Sequence, residues 1–178
     1  MEESFELSEL CTTIAMQRLP RWNQLPDLEL YMDQVLSLVD RYLGAYPGHR
    51  GLTAAMVNNY VKLGVMPPPV RKKYTRLHLA YLIVICLLKA SLPIESIRRM
   101  AAESVKPGAE SAFYDSFCES FEQSVREASE AVLAQPEHDD APYAPLFHAA
   151  LRAQAEQALA LALYEAALGE PERRDAKK

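Results

Sequence analysis

The sequence predicts an all-α fold, with a helix-turn-helix unit in its middle third and a helical hairpin after it. Composition is the first reason: only 6 glycines stand among 178 residues, and abundant alanine and leucine favour helix over loop-rich or sheet folds. Spacing is the second, because apolar residues recur every three to four positions in successive segments from Asp27 to Leu168, the period of an amphipathic helix. Punctuation is the third, since prolines and glycines cluster between those segments. The length suits one compact domain with a helical extension. Four parts are expected: an N-terminal arm over 1–26, a helix-turn-helix domain over 27–106, a helical region over 107–168, and a charged, disordered tail over 169–178.

The arm holds short apolar groups and two prolines, Pro20 and Pro26, and reads as a segment packed on another part of the chain. From Asp27, a residue type that caps helices, Leu28, Tyr31, Met32, Val35, Val39 and Tyr42 share one face up to Gly44. Residues Ala45 to Leu52, with Pro47, Gly48 and Gly51, read as a turn. Thr53 is then the predicted N-cap of a second helix, Ala54 to Leu63, with Leu52 and Val57 as its hydrophobic staple. Gly64 ends that helix, and Pro67-Pro68-Pro69 forces an extended path to Val70.

Thr75 is the predicted cap of a third helix, stapled by Tyr74 and Leu79 and running to Ala90. It is apolar enough to be central core. A fourth starts at Pro93 and turns Ile94, Ile97 and Met100 inward, with Arg98 and Arg99 exposed. Beyond Ala109 one helix carries the stripe Phe113, Phe117, Phe121, Val125, Ala128 and Val132. Another runs from Pro145 to Leu168, and the breaker 135–142 separates the two.

The net charge of −5 hides charges set in blocks. Residues 41–106 hold eleven Lys and Arg against Glu95 and Glu103, a net +9, whereas 1–40 carry −6 and 107–178 carry −8. A basic island between acidic ends fits contact with nucleic acid, and equally fits pairing with acidic segments. The second helix bears on the choice. Stepping 100° per residue puts Val57, Tyr60 and Val61 on one side with Ala54, and Ala55, Asn58, Asn59 and Lys62 on the other. That outer face has no acid: Asn bonds adenine in two places, Lys reaches phosphate or guanine, and Ala lets the backbone approach the groove floor. After the prolines, Arg71-Lys72-Lys73-Tyr74 sits on a stiff loop, as in a wing that grips phosphate.

The run Asn58-Asn59-Tyr60-Val61-Lys62-Leu63-Gly64-Val65-Met66-Pro67 is followed by the basic loop, Tyr74-Thr75, the apolar Leu79, Leu82 and Ile85, and Leu92-Pro93-Ile94-Glu95-Ser96-Ile97. Together they resemble a MerR-type winged helix-turn-helix over about residues 27–105. In that family a tyrosine and a glycine end the recognition helix, the wing ends in Tyr-Thr, and two helices close the domain, matching Tyr60, Gly64, Tyr74, Thr75 and Ile97. The whole chain is also similar to an uncharacterised bacterial family, a domain of unknown function, that carries this unit. It departs from the MerR pattern in three places. Asn58 and a single Tyr60 stand where that group has an arginine before paired aromatics, the connection from Gly44 to Thr53 is long, and the triproline replaces the usual approach to the wing.

The resemblance implies a transcriptional regulator whose partner is double-stranded DNA. Its contact set would be Thr53, Ala55, Asn58, Asn59, Tyr60, Lys62, Arg71, Lys72, Lys73, Tyr74 and Arg76. It also implies a homodimer through residues 109–168, and it names no effector ligand. The alternative is a non-catalytic protein-interaction module that keeps the fold without a DNA surface.

No enzyme, cofactor or metal site is expected. His138-Asp139-Asp140 is the one dense titratable cluster and reads as a solvated acidic turn, while His49, His78 and His148 stand apart. Cys11, Cys86 and Cys118 are odd in number with no C-x-x-C spacing, and Cys118 reads as a buried apolar side chain. The sequence opens without a basic-then-apolar leader, and its longest apolar run, Leu79 to Leu88, is about half a membrane span. A cytoplasmic protein that does not enter membranes is expected.

Overall fold

The computed structural model describes residues 7–135 and 143–168. Within them the regular elements are helices: α1 (Leu7–Ala15), α2 (Met32–Leu43), α3 (Ala54–Lys62), α4 (Arg76–Leu88), α5 (Ile94–Ser104), α6 (Glu110–Leu133) and α7 (Ala144–Leu168), plus a 3-10 turn at Trp22–Gln24. The all-α expectation holds. Extended pairing among the described residues is confined to two isolated antiparallel bridges, Leu30 with Tyr74 and Val70 with Lys73. His138-Asp139-Asp140 and the tail 169–178 lie outside the described residues.

The predicted start of the first amphipathic helix needs correcting. Asp27 caps nothing, and α2 begins at Met32. Leu30 spends both backbone groups on Tyr74, each hydrogen bond 2.8 Å long, so the chain is still extended there. The Tyr31 N–H is taken by the Gln34 side chain at 2.9 Å, which opens the helix instead. Leu28 and Tyr31 are consequently exposed, while Val35, Val39 and Leu43 are buried.

The long connection from α2 to α3 is held by one carboxylate. Asp40 Oδ1 accepts the Leu52 N–H at 3.3 Å and lies 3.0 Å from His49 Nε2. Thr53 caps α3 as predicted, its hydroxyl accepting the Met56 N–H at 3.3 Å, with Leu52 and Val57 buried beneath. The far end of α3 closes in a Schellman motif: Gly64 takes φ +69°, its N–H bonds the Val61 carbonyl at 3.0 Å, and the Val65 N–H bonds the Tyr60 carbonyl at 2.9 Å.

Helix α4 is the central core element, with Leu79, Leu82, Ile83 and Ile85 fully buried. Around it pack Val35, Val39 and Leu43 of α2, Val57 and Tyr60 of α3, Ile97 of α5, and Tyr114 and Cys118 of α6. The buried line on α6 is Tyr114, Cys118, Glu122 and Ser129, one position round from the predicted phenylalanine stripe, whose Phe113, Phe117 and Phe121 are half-buried.

The N-terminal arm sets that rotation. Helix α1 lies along α6, and the strap after it is tied down by polar groups. Glu122 accepts the Leu19 N–H at 2.9 Å and both terminal nitrogens of Arg21 at 2.7 and 2.9 Å. The Trp22 N–H bonds Asp115 at 2.7 Å, and the Trp22 ring meets Tyr114 edge-on.

Helix α7 docks by its C-terminal half only. Tyr164 is buried, Gln157 bonds the Ser91 carbonyl at 3.2 Å, and Arg99 reaches the Tyr164 hydroxyl at 3.3 Å and the Leu168 carbonyl. Arg98 pairs with Glu95. The two arginines expected to be plainly exposed are therefore half-buried and engaged. The N-terminal half of α7 leaves Leu146, Phe147 and Leu151 about two-thirds exposed. No helix of the described residues is long and apolar enough to cross a membrane.

Candidate nucleic-acid interface

Helix α3 is split cleanly. Val57 and Tyr60 are buried, and Thr53, Ala55, Asn58, Asn59 and Lys62 are exposed. Ala55, Asn58, Asn59 and Lys62 form one stripe along the helix, because residues three and four apart are neighbours on its surface, while Thr53 is exposed at the N-cap. The stripe carries amide, methyl and ammonium groups, and no carboxylate. Tyr60 was expected to join the contact set but is a core side chain, its phenol pushed above the ordinary value by burial.

The loop after α3 differs from a long stiff arm. The Lys73 N–H bonds the Val70 carbonyl at 2.8 Å, and the two residues between, Arg71 and Lys72, have φ of +49° and +63°. Two consecutive left-handed residues closed by that bond make a type I′ turn, the tight hairpin geometry that ordinarily selects Asn-Gly. Here the tip positions hold two long cations, both exposed. The strain of this backbone is of the kind that persists at functional sites.

The remaining residues of the predicted set are structural. Lys73 folds back with its ammonium 3.3 Å from the centroid of the Tyr31 ring. Tyr74 is buried, paired with Leu30 through its backbone and edge-on to His78 through its ring. Arg76 bonds the Leu25 carbonyl at 3.1 Å, lies 3.4 Å from Asp27 and stacks on Trp22. His78 Nδ1 accepts the Thr75 N–H at 3.0 Å, and burial lowers its pKa, so this histidine stays neutral.

The structure therefore leaves seven predicted residues facing solvent: Thr53, Ala55, Asn58, Asn59 and Lys62 on α3, and Arg71 and Lys72 on the turn. Two further exposed cations were missed. Arg41 stands in the last turn of α2 and Arg50 just before α3, and neither forms an ion pair among the described residues. Their signal was membership of the basic island next to the cap of α3. Acids flank these cations: Asp40, about half exposed, accepts the Leu52 N–H beside the cap of α3, and Asp27, Glu29 and Asp33 are exposed before and at the start of α2. Cys118 is wholly buried with its thiol 3.8 Å from the Pro20 carbonyl, and burial raises its pKa, which leaves it a weak nucleophile.

No curated protein and no solved structure matches the chain. Residues 20–117 match a family described as a domain of unknown function, DUF1836. That segment runs from the strap through α6 as far as Phe117, and so includes α3, the type I′ turn and most of the core around α4. It is 98 of the 178 residues, more than half of the sequence, and the chain belongs to the DUF1836 family.

Proposed function

We propose that this protein is a sequence-specific DNA-binding regulator of the MerR-like winged helix-turn-helix type. In this reading α3 lies in the major groove and the 70–73 turn acts as a small wing on the phosphate backbone. The observation that carries the reading is the split of α3: a buried apolar side, and an exposed stripe of Ala55, Asn58, Asn59 and Lys62 without one acid, with Thr53 exposed at its cap. Asn58 and Asn59 supply the base-edge chemistry, Lys62 and Thr53 reach phosphate or base, and Ala55 permits close approach. Arg71, Lys72, Arg41 and Arg50 supply charge for the backbone.

Two copies would dimerise through the exposed apolar half of α7, placing two α3 helices on half-sites about 34 Å apart or a multiple of that. A cytoplasmic location goes with this role. The test is selection of duplexes from a random pool with the full chain. A common motif should be enriched, and Asn58→Ala should relax preference at one position of it by about 1–3 kcal/mol. A pool that stays random through successive rounds would leave the alternative, a protein-interaction module on the same fold.

A further inference from the structure

Between α4, α5 and α6 lies a cavity of about 370 Å³, partly open to solvent. That volume falls in the range of small-molecule pockets. Its walls are almost entirely carbon. Trp22, Tyr81, Met100, Phe113 and Phe117 line it and stay half-buried, although the neighbouring turns of α4 are closed off completely. The space is thus local, not loose packing throughout, and apolar walls without contact partners are costly to keep.

Its charge is one-sided. Glu110, at the start of α6, is the single charged residue in the lining, and no Lys, Arg or His joins it. Among the described residues Glu110 forms no ion pair. Tyr81 sits near enough that the Glu110 carboxylate, after burial, helps to raise the pKa of its phenol.

We propose that this cavity binds an apolar molecule bearing a cationic amine, with its hydrophobic body between the aromatic walls and its ammonium on Glu110. A ligand with a carboxylate head would bring a second negative charge to a site without a counter-ion. A neutral head would gain at most a hydrogen bond from Glu110, without the ionic attraction. A cation gains the carboxylate and the faces of the surrounding rings together. The walls come from two parts of the molecule, α4 and α5 on one side and α6 with the Trp22 strap on the other, so an occupant ties them together. This inference stands independently of DNA binding.

Trp22 is the only tryptophan in the chain, so its emission reports occupancy directly. The full chain is titrated at pH 7 with 4-phenylbutylamine, 4-phenylbutan-1-ol and 4-phenylbutanoate, which share one tail and differ in head. The amine should bind about tenfold tighter than the carboxylate, with the alcohol between. Glu110→Gln should bring the amine to the level of the alcohol, and Ala101→Phe, which fills the cavity, should abolish binding of all three. If the filled variant does not fold, Glu110→Gln alone decides. A carboxylate that binds as well as the amine, an amine indifferent to Glu110→Gln, or no saturable change with any compound would overturn the proposal.

Discussion

Arg71 and Lys72 hold their cations in a backbone conformation that long side chains avoid, and this makes a prediction of opposite signs. Replacing the pair by Asn-Gly, the residues a type I′ turn selects, should raise stability by about 1 kcal/mol and the melting temperature by about 2–4 °C. On the proposed function the same change should weaken DNA binding, because two charges assigned to the phosphate backbone go. Thermal melts and duplex titrations of one variant check both halves, and a loss of stability would show that the positive φ values are not strained. On α3, Thr53→Ala should cost about 1 kcal/mol through loss of the bond to the Met56 N–H. The residue scale also shows where motif matching misleads. A helical wheel turns Tyr60 inward, and it is buried; the family pattern carried it into the contact set. Tyr74 was placed there by its cationic neighbours, whereas its backbone pairing with Leu30 decides its position.

Elements whose limits depend on nearby residues were legible, and those that depend on distant ones were not. The cap at Thr53, the Gly64 stop and the apolar α4 are written within a few positions. The start of α2 is not, because Leu30 is held out of the helix by Tyr74. The arm is the clearest case: its strap is fixed by Glu122, 101 positions from Arg21, and no local pattern records that. The same contact governs acid stability. Arg21 and the Leu19 N–H hold the Glu122 carboxyl below its ordinary value, even though burial opposes them. Its contribution is therefore complete above the unfolded value near 4.5 and is lost as pH falls through the lower folded value. Glu122→Gln should cost about 1–3 kcal/mol at neutral pH, since Glu122 is buried while Arg21 is partly solvated. It should also flatten the fall in stability below about pH 4.5. Urea unfolding of both proteins between pH 3 and 7 measures this, and parallel acid limbs would refute it.

At the scale of the whole molecule, the basic island has been sorted into cations that hold the fold and cations that face outward. Arg76, Lys73, Arg98 and Arg99 are engaged by the protein itself, while Arg41, Arg50, Lys62, Arg71 and Lys72 are exposed and form no ion pair among the described residues. Self-association belongs to this scale too. The proposed dimer predicts that Leu151→Glu shifts the sedimenting species from dimer to monomer and leaves the melting temperature of dilute protein within about 1 °C, since Leu151 is 70% exposed. The central claim, that α3 and the 70–73 turn form a DNA surface, is tested most directly by titrating a selected duplex at several salt concentrations. The account predicts that affinity falls steeply with salt, and that Arg71→Ala and Lys72→Ala each reduce the slope of log affinity against log salt by about 1. Asn58→Ala should leave that slope unchanged and narrow the gap between selected and unrelated duplexes. Binding that ignores salt, or a slope indifferent to both turn cations, would contradict it.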